Sequence, residues 1–245
     1  MIKIENTEVF GWEAAIRGMR NAKNSWDKSD SFYCCGDKKC AVIDGCDLCC
    51  DIPHFVIGEN DLKLMANLIY AGDDHGKLAR YLMVQCDIVA PFYWWKEFKT
   101  YRKGRKFLDD GDEFLDPEEL EIHIETNSCS TMHKIHAKAF TLDDFSHEHL
   151  TDVSMGVLCY TIDNLNNCRE LFLADKNKEW WWQMIQLLPS SYNQRRTVQL
   201  SYQVLKNMYF ARKAHKLDEW RDFCKWVEGL PYFKEICIKP MEGKA

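Results

Sequence analysis

Half of the cysteines in the chain lie in one short stretch, where their spacing is suited to binding a metal ion. Of the 12 cysteines, six fall within CCGDKKCAVIDGCDLCC, residues 34–50. Cys35 and Cys40 are separated by four residues and Cys46 and Cys49 by two, and thiolates at such separations can converge on a tetrahedral zinc ion. The stretch therefore predicts a structural zinc site with these four ligands. The alternative that remains open is a loop of reduced thiols, which is ordinary in a protein without a secretory signal.

Two other parts of the sequence combine cationic and amide side chains with aromatic rings. The first consists of YWWKEFKTYRKG (residues 93–104) and NSCSTMHK (residues 127–134), and the second is LPSSYNQRRTVQLSYQVLKNMYFARKAHK (residues 188–216). Lys, Arg, Asn and Ser donors are suited to a phosphate group, and flat aromatic walls are suited to a base. The pattern predicts a nucleotide pocket. The competing interpretation is a set of aromatic core edges flanked by solvated charges.

Several common catalytic motifs are absent from the sequence. There is no Gly-x-Gly-x-x-Gly turn, no Walker-type phosphate loop and no Gly-x-Ser-x-Gly elbow. Dinucleotide binding on a Rossmann fold, P-loop hydrolysis and serine hydrolysis therefore lose their main support. Spacing alone selects no nucleophilic cysteine, so no catalytic residue is assigned.

Length and charge restrict the class of protein further. The chain has 245 residues and a formal net charge of −6, and a net-negative surface opposes non-specific binding to nucleic acid, which depends on counterion release by cations. No apolar run reaches the roughly 18 to 20 residues that a membrane helix needs, and the N-terminal residues lack the basic and apolar regions of a signal peptide. We therefore expect a cytoplasmic protein without membrane association.

The elements that would position these residues include both strands and helices. KIENTEVFGWEAAIRGMRN predicts a strand followed by a helix, and FVIGENDLKLMANLIYAG predicts a helix capped by Asn60 or Asp61. YLMVQCDIVAPFYWWKEF predicts a buried strand that passes into a helix at Pro91, because proline suits a helix start. KEWWWQMIQLLP predicts a helix that ends at Pro189, and residues 191–231 predict one or two more helices. The class is α/β (α+β), with helices in the majority.

The order of these segments resembles that of the flavin-dependent thymidylate synthases. In that family a helix with a Gly-His-like turn precedes an apolar strand and a Gln-Trp-x-Arg-His-Arg helix start. An Asn-x-x-Ser-x-Arg-Tyr turn follows, and then a Leu-Pro before helices with Asn-x-Arg-Ser-Leu and Leu-Arg. This chain has LIYAGDDHGKLARYLMVQCDIVAPFYWWKEF, NSCSTMHK and the segment that begins at Leu188 in the same order, over roughly two-thirds of its length.

The resemblance implies a single α/β domain over residues 1–245, with a central, mainly antiparallel sheet and several helices. A cysteine-rich lobe at 30–54 and a charged insertion at 102–126 would be additions to it. The resemblance also implies a homotetramer, FAD as cofactor, folate and NADPH as co-substrates, and dUMP or a related pyrimidine nucleotide as ligand. The residues implied for substrate binding are Trp94, Lys96, Glu97, Ser130, Arg195 and Arg212. Those implied for cofactor binding are Asn127, Ser201 and Gln203.

The chain departs from the family pattern at the helix that follows the apolar strand. Trp94 falls on the family's tryptophan, but Lys96, Glu97 and Phe98 stand in place of Arg-His-Arg, and Met132 replaces an Arg that is directed at phosphate. Glutamate is an anion that only accepts hydrogen bonds, and phenylalanine has no hydrogen-bonding atom. A flavin contact through this motif is therefore in question.

Three functions compete at this point. One is methyl transfer to C5 of a dUMP-like nucleotide with folate and FAD, and another is non-catalytic binding or sequestering of a nucleotide on the same fold. The third is a zinc-stabilised interaction module that uses the cysteine-rich lobe.

Overall fold

The structure is a computed structural model that describes residues 2–34, 54–102, 125–128 and 131–239. Most of the predicted charged insertion lies outside these residues. So do the predicted zinc ligands and one predicted substrate-binding residue, namely Cys35, Cys40, Cys46, Cys49 and Ser130. Among the described helices, none combines the length and the apolar character that crossing a membrane requires.

Short strands and helices follow one another along the chain. The strands are β1 (Lys3–Phe10), β2 (Phe32–Cys34), β3 (His54–Val56), β4 (Met83–Pro91), β5 (Glu125–Ser128) and β6 (Asn193–Ser201). The helices are α1 (Trp12–Lys23), α2 (Glu59–Tyr70), α3 (Phe92–Phe98), α4 (Thr131–Lys134), α5 (Asp152–Asp175), α6 (Lys178–Leu187), α7 (Tyr202–Arg212) and α8 (Asp218–Glu228). Short 3-10 turns and a final π-helical turn, Lys234–Ile238, complete the described structure.

Four strands form one sheet in the order β1-β4-β6-β5, and β2 pairs with β3 in a separate two-stranded sheet. β5 is antiparallel to β6. β4 is antiparallel to β6 as well. Gln85 on β4 is hydrogen-bonded to Gln199 on β6, and Asp87, two residues later, is hydrogen-bonded to Thr197, two residues earlier. The predicted α/β (α+β) class with a mainly antiparallel sheet is therefore confirmed.

The two middle strands have one buried and one polar face, since successive side chains of a strand point to opposite sides. The buried side chains are Val84, Cys86, Ile88 and Ala90 on β4 and Gln194, Arg196, Val198 and Leu200 on β6. The prediction of one or two helices within residues 191–231 is confirmed by α7 and α8, but the sequence analysis placed no strand there and so missed β6. Ser201, the last residue of β6, is buried as well, so three of the five buried positions of β6 are polar. Hydrophobic alternation therefore did not reveal the strand.

The predicted junction between β4 and α3 is confirmed. β4 ends at Pro91, whose dihedral angles are extended (φ −69°, ψ 154°), and α3 begins at the next residue, Phe92. The fixed φ of proline and its missing N–H suit this position, where the backbone enters a helix. The junction places the residues of YWWKEF on a helix directly after a buried strand.

The first turn of α2 is capped by a residue from another segment, so the prediction that Asn60 or Asp61 caps it is wrong. The N-cap residue is Gly58, and the Asp30 carboxylate accepts hydrogen bonds from the backbone N–H groups of Asn60 (2.9 Å) and Asp61 (3.1 Å). A Cβ atom at Gly58 would lie 2.1 Å from Cγ of Asp30. Glycine is therefore required for the close approach of this carboxylate.

The chain divides into two compact units, and each is described by itself below. The first comprises Met1–Thr7, Gln85–Gln199 and Ala211–Phe223, and the second comprises Glu8–Val84, Leu200–Phe210 and Cys224–Ala245. The sequence-based prediction of a single domain stays a prediction.

A buried ion pair joins α1 to α2 in the second unit. The Arg20 guanidinium donates from Nε to Oδ1 of Asp61 over 2.7 Å, and the two side chains are 6% and 0% exposed. Oδ2 of Asp61 accepts hydrogen bonds from the hydroxyl groups of Ser29 (2.7 Å) and Ser31 (2.6 Å). Asp61 thus balances a buried cation and also anchors the segment that leads into β2.

Replacing Asp61 by alanine should destabilise the protein by roughly 3 to 5 kcal/mol, because Arg20 would stay buried without its counter-ion. The matched control is Glu59→Ala in the same helix, where the Glu59–Lys63 pair is 3.7 Å long and exposed. That substitution should cost less than about 1 kcal/mol. Urea denaturation measures both values, and a similar small cost for both variants would contradict this account.

Stability should also fall in acid because of Asp61. Burial alone would raise the pKa of Asp61, but hydrogen bonds from Ser31 and Ser29 and the Arg20 guanidinium hold this pKa below the ordinary value of an aspartate. The stabilisation is therefore complete above the unfolded-state pKa of about 3.9 and is lost as the pH falls through that value towards the folded-state pKa. In denaturation experiments between about pH 3 and 6, Asp61→Asn should lose less stability on acidification than the wild type. Equal acid sensitivity would show that Asp61 does not contribute.

Candidate functional site

An aromatic cluster joins α3 to α8 in the first unit. Trp94, on α3, is fully buried, and its ring centroid lies 4.8 Å from that of Trp220 and 5.7 Å from that of Phe223, both on α8. Phe98 packs against Trp94 at 4.9 Å. The indole N–H of Trp94 is buried and has no hydrogen-bond partner within the described parts of the chain. Trp94, expected to be a wall of the pocket, is thus enclosed among aromatic rings.

One carboxylate oxygen, Oε2 of Glu97, is the polar centre of the site. It accepts a hydrogen bond from Nε1 of Trp220 over 3.0 Å and lies 3.1 Å from Nη1 of Arg212. Nε2 of His215 lies 3.7 Å from the same oxygen. Glu97 ends up here because it sits on α3 three residues after Trp94, on the side of the helix that packs against α8. The Glu97 side chain is 37% exposed, so solvent reaches this ion pair.

The guanidinium of Arg212 is held by two aromatic rings and two hydrogen-bonding partners. Cζ of Arg212 lies 5.3 Å from the ring centroid of Tyr101 and 5.0 Å from that of Trp220. Nε donates to the Tyr101 hydroxyl over 2.5 Å and Nη1 faces Glu97. Nη2 of Arg212 makes no hydrogen bond to any residue that the structure describes. The cation is therefore oriented and still has donors for an anion.

A second polar contact fixes α3 against α8. The Tyr93 hydroxyl donates to the carboxylate of Glu219, which is 6% exposed. Burial raises the pKa of Tyr93, and the hydrogen bond to Glu219 raises it further, so the phenol stays protonated. This contact positions α3, and with it Glu97, relative to Trp220.

The other residues predicted to bind substrate lie elsewhere. Lys96 is exposed on α3, with no hydrogen-bond or ion-pair partner in the part of the chain that the structure describes. Arg195 lies on the polar face of the sheet, where Nη2 is 2.7 Å from Glu5 and Nη1 is 3.6 Å from Asp87. The structure therefore brings Trp94, Glu97 and Arg212 together around Trp220 and places Arg195 in a separate ion-pair network. Their role as ligand-binding residues stays a prediction.

The residues predicted to bind the cofactor have structural partners. Asn127 is exposed on β5, opposite Thr197. In the second unit, the Ser201 hydroxyl accepts a hydrogen bond from the backbone N–H of Val204 (3.3 Å) at the start of α7.

Gln203, also in the second unit, is 1% exposed and belongs to a buried polar cluster. Its amide donates to Asp73 over 3.1 Å, and the same carboxylate oxygen accepts from Lys206 over 2.9 Å. Its amide oxygen has no hydrogen-bond partner among the described residues. Gln203 thus supports the interior of the second unit, and a contact with a cofactor stays a prediction.

Sequence reasoning missed Tyr101 and His215 as members of the site. Tyr101 lies four residues after Glu97, a spacing that puts two residues on the same side of a helical segment. His215 lies three residues after Arg212, in the turn before α8. Both spacings can be read from the sequence, but they do not show that Tyr101 and His215 join the site. Only the packing of α3 against α8 shows this. Among the described residues, no group of three or more His, Cys, Asp or Glu side chains is placed to hold a metal ion.

Comparisons with known proteins identify the fold. No protein-family model matches the sequence, and no curated protein matches it. A crystal structure of thymidylate synthase X (ThyX) from Helicobacter pylori with FAD and dUMP matches with a TM-score of 0.60 at 15% identity, over 98% of this chain and 100% of that one. A second structure of this flavin-dependent enzyme from Helicobacter pylori, also complexed with FAD and dUMP, matches with the same TM-score and identity over 97% and 98%. At this identity the likeness shows that the chain has the ThyX fold and shows nothing of its activity.

The contact between Tyr93 and Glu219 should be important for stability. Tyr93→Phe removes one hydroxyl and leaves the buried Glu219 carboxylate without its hydrogen bond, which should cost roughly 1 to 3 kcal/mol. Tyr81→Phe is the matched control, because the Tyr81 ring is 54% exposed, and it should change stability by less than about 0.5 kcal/mol. If urea denaturation gives the same result for both variants, Tyr93 does not fix α3 against α8.

Proposed function

We propose that the protein binds a pyrimidine deoxynucleotide of the dUMP type. The observation that carries the proposal is the likeness, along nearly the whole of both chains, to thymidylate synthases solved with FAD and dUMP. The cluster around Arg212 supports it, because an oriented guanidinium beside aromatic rings is suited to a phosphorylated ring compound.

Arg212 is the residue best placed to hold the phosphate. Its side chain is 20% exposed, so a ligand can reach it. Nη2 makes no hydrogen bond to a residue that the structure describes and can donate to a ligand. Tyr101 and Trp220 fix the plane of the guanidinium before a ligand arrives, which reduces the entropy lost on binding. A phosphate oxygen would accept a charge-assisted hydrogen bond from Nη2.

The Glu97 carboxylate would compete with a bound phosphate for the Arg212 guanidinium. Its carboxylate already lies 3.1 Å from Nη1 of Arg212, and two anions on one guanidinium repel each other. A bound phosphate must therefore either share Arg212 with Glu97 through Nη2 or displace it. Displacement is feasible because the Glu97 carboxylate is more than a third exposed and water can solvate it.

α3 does not fit a flavin cofactor. Phe98 is 1% exposed within the aromatic cluster, so it cannot touch a ligand, and the Glu97 carboxylate only accepts hydrogen bonds and offers no donor to a flavin. Lys96 remains as the only cation among Lys96, Glu97 and Phe98. No reaction step through a flavin is derived from these residues, and binding without chemistry is the function that their geometry supports best.

Methyl transfer to C5 of a dUMP-like nucleotide, with FAD, folate and NADPH, is the second candidate. The likeness to structures solved with FAD favours it. An absorbance spectrum separates the two candidates. Purified protein that is yellow and releases FAD on denaturation would support methyl transfer, whereas colourless protein that takes up no added FAD excludes it and leaves nucleotide binding.

Nucleotide binding should depend on the phosphate and on Arg212. In calorimetry, dUMP should bind more tightly than deoxyuridine, and Arg212→Ala should weaken dUMP binding by roughly 10- to 150-fold, which corresponds to 1.5 to 3 kcal/mol for a hydrogen bond to a charged group. Arg17→Ala is the control, since Arg17 is an exposed arginine that pairs with Glu13 on α1. If dUMP does not bind, or if Arg212→Ala binds it unchanged, the proposal is wrong.

A structural zinc ion held by Cys35, Cys40, Cys46 and Cys49 also stays a proposal. Its support is the spacing of the cysteines alone. Elemental analysis of the purified protein tests it, and a protein that contains no zinc and stays folded in chelator would exclude it.

A further inference from the structure

The His215 imidazole stands beside the Glu97 carboxylate without a hydrogen bond to it. His215 lies in the turn between α7 and α8, and its side chain is 24% exposed. Nε2 of His215 is 3.7 Å from Oε2 of Glu97, which exceeds the length of a hydrogen bond. The closer neighbours of Oε2 are Trp220 and Arg212, at 3.0 and 3.1 Å. His215 is therefore within reach of Glu97 but is not the residue that holds it.

The backbone near His215 decides which nitrogen of the neutral ring carries the proton. Nδ1 of His215 accepts a hydrogen bond from the backbone N–H of Leu217 over 3.2 Å, so Nδ1 must present a lone pair. The proton of the neutral ring then lies on Nε2, the nitrogen that faces Glu97. Nε2 makes no hydrogen bond to any residue that the structure describes. His215 is thus a donor aimed at a carboxylate that it does not yet bind.

The turn that carries His215 is fixed by contacts with α8. Nη1 of Arg221 donates to the backbone carbonyls of His215 (3.0 Å) and Lys216 (3.1 Å). The His215 ring packs edge to face on the ring of Trp220, with the two centroids 6.4 Å apart. Trp220 also donates to Glu97, so one side chain positions both the imidazole and the carboxylate. This preorganisation reduces the entropy lost when a new contact forms.

A phosphate on Arg212 would change the partners that Glu97 needs. The phosphate and the Glu97 carboxylate are both anions, and they repel each other on one guanidinium. The carboxylate can turn away from Arg212 and keep its hydrogen bond to Trp220. A carboxylate oxygen can accept a further hydrogen bond, and the Nε2–H of His215 is the donor within reach. A movement of roughly 1 Å brings the two atoms to hydrogen-bonding distance.

We propose that His215 takes over the Glu97 carboxylate when a phosphate group binds Arg212. His215 is then a positioning residue: it does not touch the phosphate, but it stabilises the arrangement of Glu97 that leaves the guanidinium to the ligand. The inference rests on the proposed nucleotide binding at Arg212. It explains how an acidic side chain can remain beside a phosphate site, since Trp220 bonds the carboxylate in both arrangements.

Two substitutions of His215 separate the donor at Nε2 from the acceptor at Nδ1. In His215→Gln the side-chain amide can donate from near the position of Nε2. In His215→Asn the side-chain oxygen can accept from Leu217 near the position of Nδ1, but no donor reaches Glu97. Calorimetry should show dUMP binding weakened roughly three- to tenfold in His215→Asn, the loss of about one hydrogen bond, and closer to the wild type in His215→Gln. Thermal unfolding should rank the two variants the other way, because only His215→Asn keeps the contact with Leu217.

The effect of His215 on dUMP binding should require the charge of Glu97. In a Glu97→Gln background the competing anion is gone, so His215→Asn should leave dUMP binding unchanged. The inference is overturned if His215→Asn binds dUMP as tightly as the wild type, if both His215 variants lose affinity equally, or if the loss persists in Glu97→Gln. In these cases Arg212→Ala still tests nucleotide binding by itself. If the wild type binds no dUMP, both proposals are wrong.

Discussion

The Glu97 carboxylate joins three parts of the first unit through a single oxygen atom. Glu97 comes from α3, Arg212 from the end of α7 and Trp220 from α8, and Nε1 of Trp220 and Nη1 of Arg212 lie 3.0 and 3.1 Å from Oε2. Since the pair is partly exposed, its contribution to stability is modest. Its importance is geometric: the carboxylate and two aromatic rings together decide where the only guanidinium of the described site points. A ligand that binds Arg212 must therefore fit a guanidinium whose orientation is already set by Glu97, Tyr101 and Trp220.

The sequence predicted those features that are local. The turn from β4 into α3 was readable because an apolar run, a proline and an aromatic segment follow each other directly. The ion pair between Glu97 and Arg212 was not readable, because the partners lie far apart in the chain and either could have been solvated. Trp94 was expected to line a pocket, but its burial depends on Trp220 and Phe223, which only tertiary packing brings to α3. β6 escaped prediction for a related reason, since Gln194 and Arg196 are polar side chains at buried positions, and burial of polar groups depends on partners that sequence does not name.

The fold and the functional residues lead to different conclusions. The likeness to ThyX extends over nearly the whole chain, so the order of strands and helices survives at low identity. At the positions where the resemblance places Arg-His-Arg, Lys96 is exposed, Glu97 lies 3.1 Å from Arg212, and Phe98 is buried. A fold can keep a binding site while the chemistry changes. We therefore propose nucleotide binding at Arg212 and derive no reaction step through a flavin.

The most direct test of this central claim is a double-mutant cycle for dUMP binding, measured by calorimetry on the wild type, Glu97→Gln, Arg212→Ala and the double variant. If Glu97 competes with the phosphate for Arg212, Glu97→Gln should strengthen binding several-fold, by about 1 kcal/mol, and this gain should vanish when Arg212 is replaced. A gain of the same size in both backgrounds, or no gain at all, would contradict the account.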